Sequence, residues 1–273
     1  MKQKLLLTGS RGSLGRSLRS SRAFEDLNRD FEIVCWDTSL HGSLTDATVL
    51  TKSIDNIQPE IVVHLAWMAT STPDYDLNAG NLMWGTSTEL LAQIVADSGA
   101  WFIGTGSIIE EYSSISTPYK ESKVQTRNRV LNYNSSSSWL RPSWILNPDE
   151  GRPRLIGDYL RARQKGEQFN LKNPLKQHDF MSIADFSGAL RTVLNFRLAG
   201  VQDIGMGMPH TVLDALESVD RHARDHLIFE PFAGNTIAEP AEYLADNRRL
   251  LTAGWKPLES LHLFSGAREF RSQ

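Results

Sequence analysis

Residues 4–15 read KLLLTGSRGSLG, and this stretch decides the fold. Lys4 to Thr8 is a short continuous apolar run, as expected of a parallel strand buried on both faces. Gly9, Gly12 and Gly15 then allow a tight turn, close approach of a pyrophosphate, and close packing of helix on strand. A helix is expected from about Ser13, and its free N–H groups would face phosphate oxygens. A glycine pattern alone is weak, but this one follows a strand, precedes a helix, and has an acidic residue at the right distance beyond it. That residue is Asp37. It closes a second expected strand, Phe31 to Asp37, about twenty residues after Gly15. There its carboxylate can accept hydrogen bonds from a ribose diol; the competing reading is a turn aspartate.

Strands and helices continue to alternate beyond Asp37. Thr45 or Asp46 caps a helix to about Ile57, Pro59 ends it, and Glu60 to Leu65 is a third strand. His64 reads as structural rather than as an acid or base. Ala66 is the small residue that lets the chain pass over a cofactor. Ser71 to Asp76 reads as a loop. A long helix follows, from about Ala79 to Ser98, with Gly99 at its end and Leu82, Leu90, Leu91, Ile94 and Val95 on its apolar face. Asn81 near its start is either a cap or a site residue. Trp139 to Pro142 ends a further strand. This alternation is that of an open parallel sheet with helices on both faces, so the fold class is α/β, a Rossmann-type doubly wound parallel sheet.

The second informative stretch is Trp101 to Lys123, WFIGTGSIIEEYSSISTPYKESK. It reads as an apolar strand, a polar loop, and the first turn of a helix that runs from near Tyr119 to about Asn132. Tyr119 and Lys123 are four apart, which puts both on one helix face. A phenol has an ordinary pKa of about 10 and is a poor proton carrier at neutral pH. A nearby ammonium favours the phenolate. A hydroxyl such as that of Ser107 can hold the substrate oxygen that shares the proton. Together the three suit proton exchange with a carbonyl/alcohol pair. The bland alternative is a surface tyrosine and lysine.

After Pro148 the character changes. Asp149 to Pro153 reads as a loop, Leu155 to Lys165 as a helix stopped by Gly166, and Phe169 to Leu171 as a short strand. His178 to Ser182 reads as one strand, Ile183 to Phe196 as an amphipathic helix, and Val201 to Ile204 as a strand. Thr211 to Arg224 and Tyr243 to Ala253 read as helices. No internal repeat is present.

The 273 residues suit one large α/β domain, or one with a small satellite, and the net charge of −3 gives no reason to expect a nucleic-acid partner. The single cysteine, Cys35, excludes a disulfide framework or a cysteine-rich zinc site within one chain; it reads as a core residue, and no metal ligands stand out. No apolar run approaches a membrane span, and no signal-peptide pattern precedes the first strand, so a cytoplasmic setting is expected.

Taken in order, TGSRGSLG, PEIVVHLAW, NLMWGT, TGS, PYKESK, LRPSWILNP, HDFMSIADF and ADNRRLLTAGWKP resemble the extended short-chain dehydrogenase/reductase family, in its nucleotide-sugar epimerase, dehydratase and reductase group. The resemblance covers nearly the whole chain. It implies an NAD(P)-binding Rossmann domain at residues 1–150 and 178–204, and a substrate-binding lobe at residues 151–177 and 205–273. It implies Tyr119 as catalytic acid or base. Lys123 holds the nicotinamide ribose and lowers the Tyr119 pKa. Ser107 is the catalytic hydroxyl, with Thr105 as second choice. The cofactor site it implies comprises Gly9, Arg11, Gly12, Ser13, Leu14, Gly15, Asp37, Leu44, Leu65, Ala66, Trp67, Asn81, Tyr119 and Lys123. NAD(H) is favoured through Asp37, which repels a 2′-phosphate. NADP(H) is the alternative through Arg11, whose guanidinium can pair with one.

Three departures matter. Dehydratases of the group carry an acid directly after the catalytic hydroxyl, where this chain has Ile108 and Ile109, with Glu110 and Glu111 later. His178 stands where an arginine often contacts the nucleotide diphosphate. Ser43 replaces a usual acid before Leu44. The leading expectation is a ketoreductase acting on the 4-keto group of a nucleotide-linked deoxysugar. The runner-up is a nucleotide-sugar 4-epimerase with bound NAD, and a third reading is a non-catalytic dinucleotide-binding protein. The expected partner is the nucleotide-sugar substrate, and a homodimer is compatible with the sequence.

Overall fold

The computed structural model describes residues 2–68, 75–112, 114–146, 155–229 and 240–258. The first half alternates as the pattern requires: β1 (Gln3–Thr8), α1 (Ser13–Ser20), α2 (Arg22–Asp30), β2 (Phe31–Cys35), α3 (Thr38–His41), α4 (Ala47–Ile57), β3 (Ile61–His64), α5 (Gly80–Asp97), β4 (Trp101–Thr105), α6 (Pro118–Tyr133) and β5 (Ser138–Pro142). The second half holds β6 (Trp144–Leu146), α7 (Leu155–Gln164), β7 (Phe169–Leu171), β8 (Gln177–His178), β9 (Phe180–Ser182), α8 (Ile183–Phe196), β10 (Gly200–Ile204), β11 (His210–Thr211), α9 (Val212–Val219), β12 (Leu227–Phe229) and α10 (Arg248–Thr252). Short 3-10 helices cover Tyr75–Leu77, Ile108–Glu111 and Ala223–His226.

Six strands form one sheet in the order β10-β5-β4-β3-β1-β2, and every pairing in it is parallel. Alternate side chains of each strand enter opposite cores, as the period of two demands. Leu5, Leu7, Ile61, Val63, Ile103 and Leu140 pack with Phe186, Leu190 and Val193 of α8. Leu6, Val62, Phe102 and Trp139 pack with Leu50 and Ile54 of α4 and Leu91 and Val95 of α5. Both faces are covered, so the strands read as unbroken apolar runs. The chain passes from β1 to β2 on one side and returns to β3 on the other. That reversal opens a crevice at the carboxyl ends of β1 and β3, the general ligand position in such sheets. A third core joins α7, β7, α9 and β12 through Tyr159, Leu160, Leu171, Leu216 and Leu227.

Local chemistry sets the helix ends. Asp46, not Thr45, caps α4, its carboxylate accepting from Thr48 and Val49 N–H at 2.9 and 3.1 Å. Thr117 caps α6 with Pro118 in the first turn, where its missing N–H costs nothing.

The expectation for Leu82 is corrected: it is 53 % exposed, outside the apolar face of α5 that Leu91 and Val95 define. The segment after Gly15 is two helices, not one, broken at Ser21, whose hydroxyl donates to the Leu18 carbonyl at 2.6 Å. The strand expected to Asp37 stops at Cys35 because Asp37 caps α3. The strand expected over 178–182 is two, because Asp179 between them accepts from the N–H groups of Met206, Gly207 and Ala245 at 2.8–3.0 Å. The same demand shortens the last helix. Asp203 takes the Asp246 N–H at 3.1 Å and the Tyr243 hydroxyl at 2.9 Å, so regular structure starts only at Arg248. The helix expected over 211–224 ends at Val219, where Asp220 turns to accept from Tyr159 and Arg163. The loop expectations for 71–74 and 149–153, the tail of the lobe expectation beyond 258, and Asn147 and Pro148 lie outside the described residues.

Candidate active site

The glycine loop leaves β1 with Gly9 at φ +70°, a left-handed conformation open to glycine. Its missing side chain also matters, since a Cβ there would sit 2.5 Å from the Ala66 nitrogen. Gly12 N–H donates to the Gly9 carbonyl at 2.9 Å and closes the turn. A Cβ on Gly15 would overlap that same carbonyl oxygen. Helix α1 starts at Ser13 with Gly12 in the capping position and no side-chain cap, which leaves first-turn N–H groups, Leu14 among them, directed at the crevice. This cradle fits a dinucleotide pyrophosphate.

Asp37 follows β2 at the mouth of the same loop. Its Oδ1 accepts from Ser39 N and Oγ at 3.0 and 2.7 Å, and its Oδ2 pairs with Arg11. These Ser39 hydrogen bonds, with the charges of Arg11 and His41, hold the carboxyl below its ordinary range. Leu44 is buried in one cluster with Trp36 and Ala66.

Residues 65–67 run from one end of the site to the other. Leu65 N–H donates to the Thr8 carbonyl at 3.2 Å, Ala66 lies against Gly9, and the Trp67 ring reaches Lys123, whose Nζ is 3.4 Å from its centroid. A cation over an indole face is attracted by the ring quadrupole. Lys123 is buried, and Nζ donates to the Thr105 carbonyl at 2.7 Å. Burial lowers its pKa to about 7, against the opposing charge of Glu110. Tyr119, one turn earlier on α6, meets Trp67 and Tyr75 edge-on, with centroids 6.4 and 5.4 Å apart, and its ring centroid is 5.7 Å from Lys123 Nζ. Asn81 does not cap α5, where Ala79 stands in the capping position. Its buried amide donates to the Tyr75 and Asn78 carbonyls and accepts from Trp67 Nε1 at 2.8 Å, so it fixes the Trp67 ring and the main chain of Tyr75 beside Tyr119.

Ser107 begins the 3-10 helix after β4, and its Oγ accepts from Ile109 N–H at 3.3 Å. It stands two residues beyond the carbonyl that Lys123 holds. Thr105 Oγ1 is buried without a hydrogen-bond partner among the described residues, which keeps Thr105 a candidate for the catalytic hydroxyl. The expected residues thus gather in two groups: Gly9 to Gly15 with Asp37 and Leu44 beside β1 and β2, and Thr105, Ser107, Tyr119 and Lys123 with Trp67 and Asn81 beside β3 and β4. Leu65 and Ala66 join them.

His64 is enclosed between Thr8 Oγ1 at 2.7 Å and Thr88 Oγ1 at 3.1 Å. Burial, and then the Lys123 charge, lower its pKa to about 3, so it is neutral and ties β1 to α5. His178 stacks on Trp144 with centroids 4.5 Å apart, and burial lowers its pKa to about 4, so at neutral pH it carries no charge for a diphosphate. Sequence reasoning missed Glu110 as part of the site. Its signal was present in the Ser-x-x-Glu spacing of a capping box, Ser107 to Glu110. Among the described residues no cluster of His, Cys, Asp or Glu is arranged to hold a metal ion, and no helix is long and apolar enough to cross a membrane.

Residues 5–205 match the NAD dependent epimerase/dehydratase family, and the chain belongs to it. The fold is shared with UDP-glucose 4-epimerase of Thermus thermophilus, solved with NAD, at 18% identity and TM-score 0.75, covering 97% of this chain and 100% of that one. It is shared with the Bordetella bronchiseptica enzyme WbmG, solved with NAD and UDP, at 18% identity and TM-score 0.77 over 97% and 93% of the two chains. It is shared also with dTDP-4-dehydrorhamnose reductase of Bacillus anthracis, solved with NADP, at 16% identity and TM-score 0.78 over 97% of each. At these identities the likeness is one of fold. No curated protein matches the chain in sequence.

Proposed function

We propose that this chain is an NAD(P)-dependent oxidoreductase that reduces the 4-keto group of a nucleotide-linked deoxysugar. The observation that carries the reading is Lys123, buried on the Tyr119 face of α6 with its ammonium on Trp67 and the Thr105 carbonyl. An ammonium is expensive to bury, and a sensor of dinucleotides has no use for one beside a phenol and a hydroxyl.

In this reading Gly9, Gly12, Gly15 and the start of α1 hold the pyrophosphate, and Asp37 holds the adenosine ribose. Bound nicotinamide supplies the hydride. Tyr119 gives the proton to the carbonyl oxygen, and Ser107, or Thr105 in its place, donates a hydrogen bond to the same oxygen. Lys123 holds the nicotinamide ribose and stabilises the phenolate that Tyr119 leaves behind. The substrate lobe is residues 151–177 and 205–273. Dehydration is disfavoured because Ile108 is buried and apolar, and Glu110, the nearest acid in sequence, is turned onto Trp139 and Arg127. The second reading is a 4-epimerase with bound NAD, which would use the same Ser107, Tyr119 and Lys123 on the fold shared with the Thermus epimerase.

The test is incubation with a nucleotide-activated 4-keto-6-deoxyhexose and NADH. Stoichiometric loss of NADH with gain of two hydrogens in the product supports reduction. Interconversion of 4-hydroxy epimers without net cofactor consumption replaces it with the epimerase. Tyr119→Phe is expected to fold and bind NADH but lose about a hundredfold or more in kcat. Wild-type turnover in that variant would remove Tyr119 from the chemistry.

A further inference from the structure

Behind the catalytic loop lies a carboxylate that the proposed chemistry does not use. The Glu110 side chain is 0% exposed. Its Oε1 accepts from the Ser107 N–H at 2.9 Å and from Trp139 Nε1 at 3.0 Å, and its Oε2 pairs with Arg127 at 3.1 Å. Gly106 has no side chain to interfere, and any Cβ there would overlap Glu110 and the Trp139 indole nitrogen. Three consecutive residues are therefore held by their main chain: Thr105 through its carbonyl by Lys123, Gly106 through its N–H by the Leu140 carbonyl at 2.6 Å, and Ser107 through its N–H by Glu110.

We propose that Glu110 is a positioning residue for the candidate active site, fixing Ser107 in place, two residues beyond the carbonyl that holds Lys123, and setting a buried carboxylate on the same loop. This rests on the reading of Ser107, Tyr119 and Lys123 given above. The titratable groups facing Lys123 are Glu110 from the 3-10 helix, His64 from β3 and Tyr119 from its own helix. His64 is neutral, and Glu110 opposes the loss of the Lys123 proton. Burial raises the Glu110 carboxyl above its ordinary range, and Trp139 from β5, the Ser107 N–H, and Arg127 and Lys123 from α6 oppose that rise and favour the carboxylate. Arg127 also reaches Glu111 at 3.3 Å, and Arg141 pairs with Glu111 and with Asp203 at 2.6 Å, so the clamp is tied into β5 and β10.

A positioning role predicts effects that a merely structural role would not produce. Glu110→Gln keeps an oxygen for the Ser107 N–H and removes the charge. NADH affinity is measured by fluorescence from pH 6 to 10 in wild type, Glu110→Gln and Lys123→Met. Wild type is expected to lose affinity as pH rises through the Lys123 titration. Glu110→Gln should lose it about one pH unit earlier, giving several-fold weaker binding near neutrality, and Lys123→Met should show no such step. Superposable profiles for wild type and Glu110→Gln overturn the proposal. A step that survives in Lys123→Met overturns the site reading beneath it instead. The second arm is a cycle of Glu110→Ala and Ser107→Ala, read as kcat and KM on the 4-keto sugar. Glu110→Ala should lower kcat about tenfold or more with KM little changed, and the part of this loss that passes through Ser107 should disappear in the Ser107→Ala background, leaving only the part that passes through Lys123. Independent, additive losses overturn the Ser107 half of the proposal. If Glu110→Ala does not fold, the NADH profile of Glu110→Gln decides.

Discussion

Two loops leave the carboxyl edge of one sheet, at β1 and at β4, and they are built on opposite principles. The loop of residues 9–15 is shaped by absent side chains: Gly9 takes a left-handed φ, Gly12 closes the turn by a backbone hydrogen bond, and Gly15 lets α1 settle on it. The loop of residues 105–111 is shaped by buried charge, with Lys123 on one carbonyl and Glu110, Arg127 and Trp139 behind Ser107. The difference suits the two tasks assigned to the loops. An anion can be cradled by backbone dipoles alone, whereas a hydroxyl that meets a reacting oxygen needs a fixed side chain, and fixing it requires partners.

The largest effect is expected in the first loop. In Gly15→Ala the new methyl meets only backbone, the Gly9 carbonyl and Ser10 Cα, neither of which can rotate away. Gly9→Ala adds a strained φ to a contact with Ala66. Overpacking of this kind costs about 1–3 kcal/mol or more. Both variants should lose NADH affinity by more than tenfold, read by fluorescence titration, and lower the urea midpoint. A Gly15→Ala protein with wild-type affinity would show that the loop is more pliable than its packing implies.

A middle-sized effect should come from His64, which joins the root of the first loop to α5. Its folded pKa, about 3, lies below its ordinary value of 6.5 because burial penalises the imidazolium. A depressed pKa means that its contribution to stability is complete above pH 6.5 and drains away as pH falls toward 3. Each pH unit within that window is worth up to about 1.4 kcal/mol. Between pH 7 and pH 5 wild type should therefore lose about 2 kcal/mol through this one residue. Asp37, Asp220 and Asp246 are lowered and drain stability as they protonate, while Glu110 and Asp179 are raised by burial and act in the opposite sense. The difference between wild type and His64→Asn at each pH isolates the histidine. Urea midpoints that run parallel from pH 7 to pH 5 would mean that His64 stays solvated enough to titrate normally.

The contrast between the loops also explains what the sequence made legible. The first loop could be read residue by residue because its determinants lie within a dozen positions of one another, and glycine has few other reasons to recur at that spacing. The doubly wound sheet followed from the same logic, since strands such as Ile61–His64 are apolar throughout when both faces are covered. Tyr119 and Lys123 were legible because a helix turn relates them. The clamp behind Ser107 was not, apart from its capping box. Trp139 and Arg127 lie 29 and 17 residues from Glu110, and only the folded sheet brings them to it. The errors beyond residue 177 share this cause. At Asp179, Asp203 and Asp220 a carboxylate claims backbone N–H groups or side chains from distant segments and interrupts an element that local pattern would continue. Hydrophobic periodicity carries no trace of such a claim.

The smallest expected effect lies where the first loop meets Asp37, and it concerns the choice of cofactor. The Arg11 side chain is 69% exposed, and exposed ion pairs contribute little, about 0–1 kcal/mol. Its influence should therefore appear in selectivity rather than stability. Ser39 occupies Asp37 Oδ1 and keeps the carboxylate ionised, while Arg11 covers Oδ2. A free 2′-hydroxyl can donate to Oδ2 once Arg11 moves aside toward water. A 2′-phosphate must draw Arg11 off Asp37 and then sit beside the uncovered negative charge. NADH should accordingly bind more tightly than NADPH. Arg11→Ala should leave NADH affinity within about twofold and weaken NADPH several-fold, a change below about 1.4 kcal/mol. Asp37→Asn should move the ratio the other way, since it removes the repulsion and frees Arg11 for the phosphate. Titration of both cofactors into wild type and the two variants reads this directly. Tighter NADPH binding by wild type would show that Arg11, and not the aspartate that follows β2, governs the adenosine end of the site.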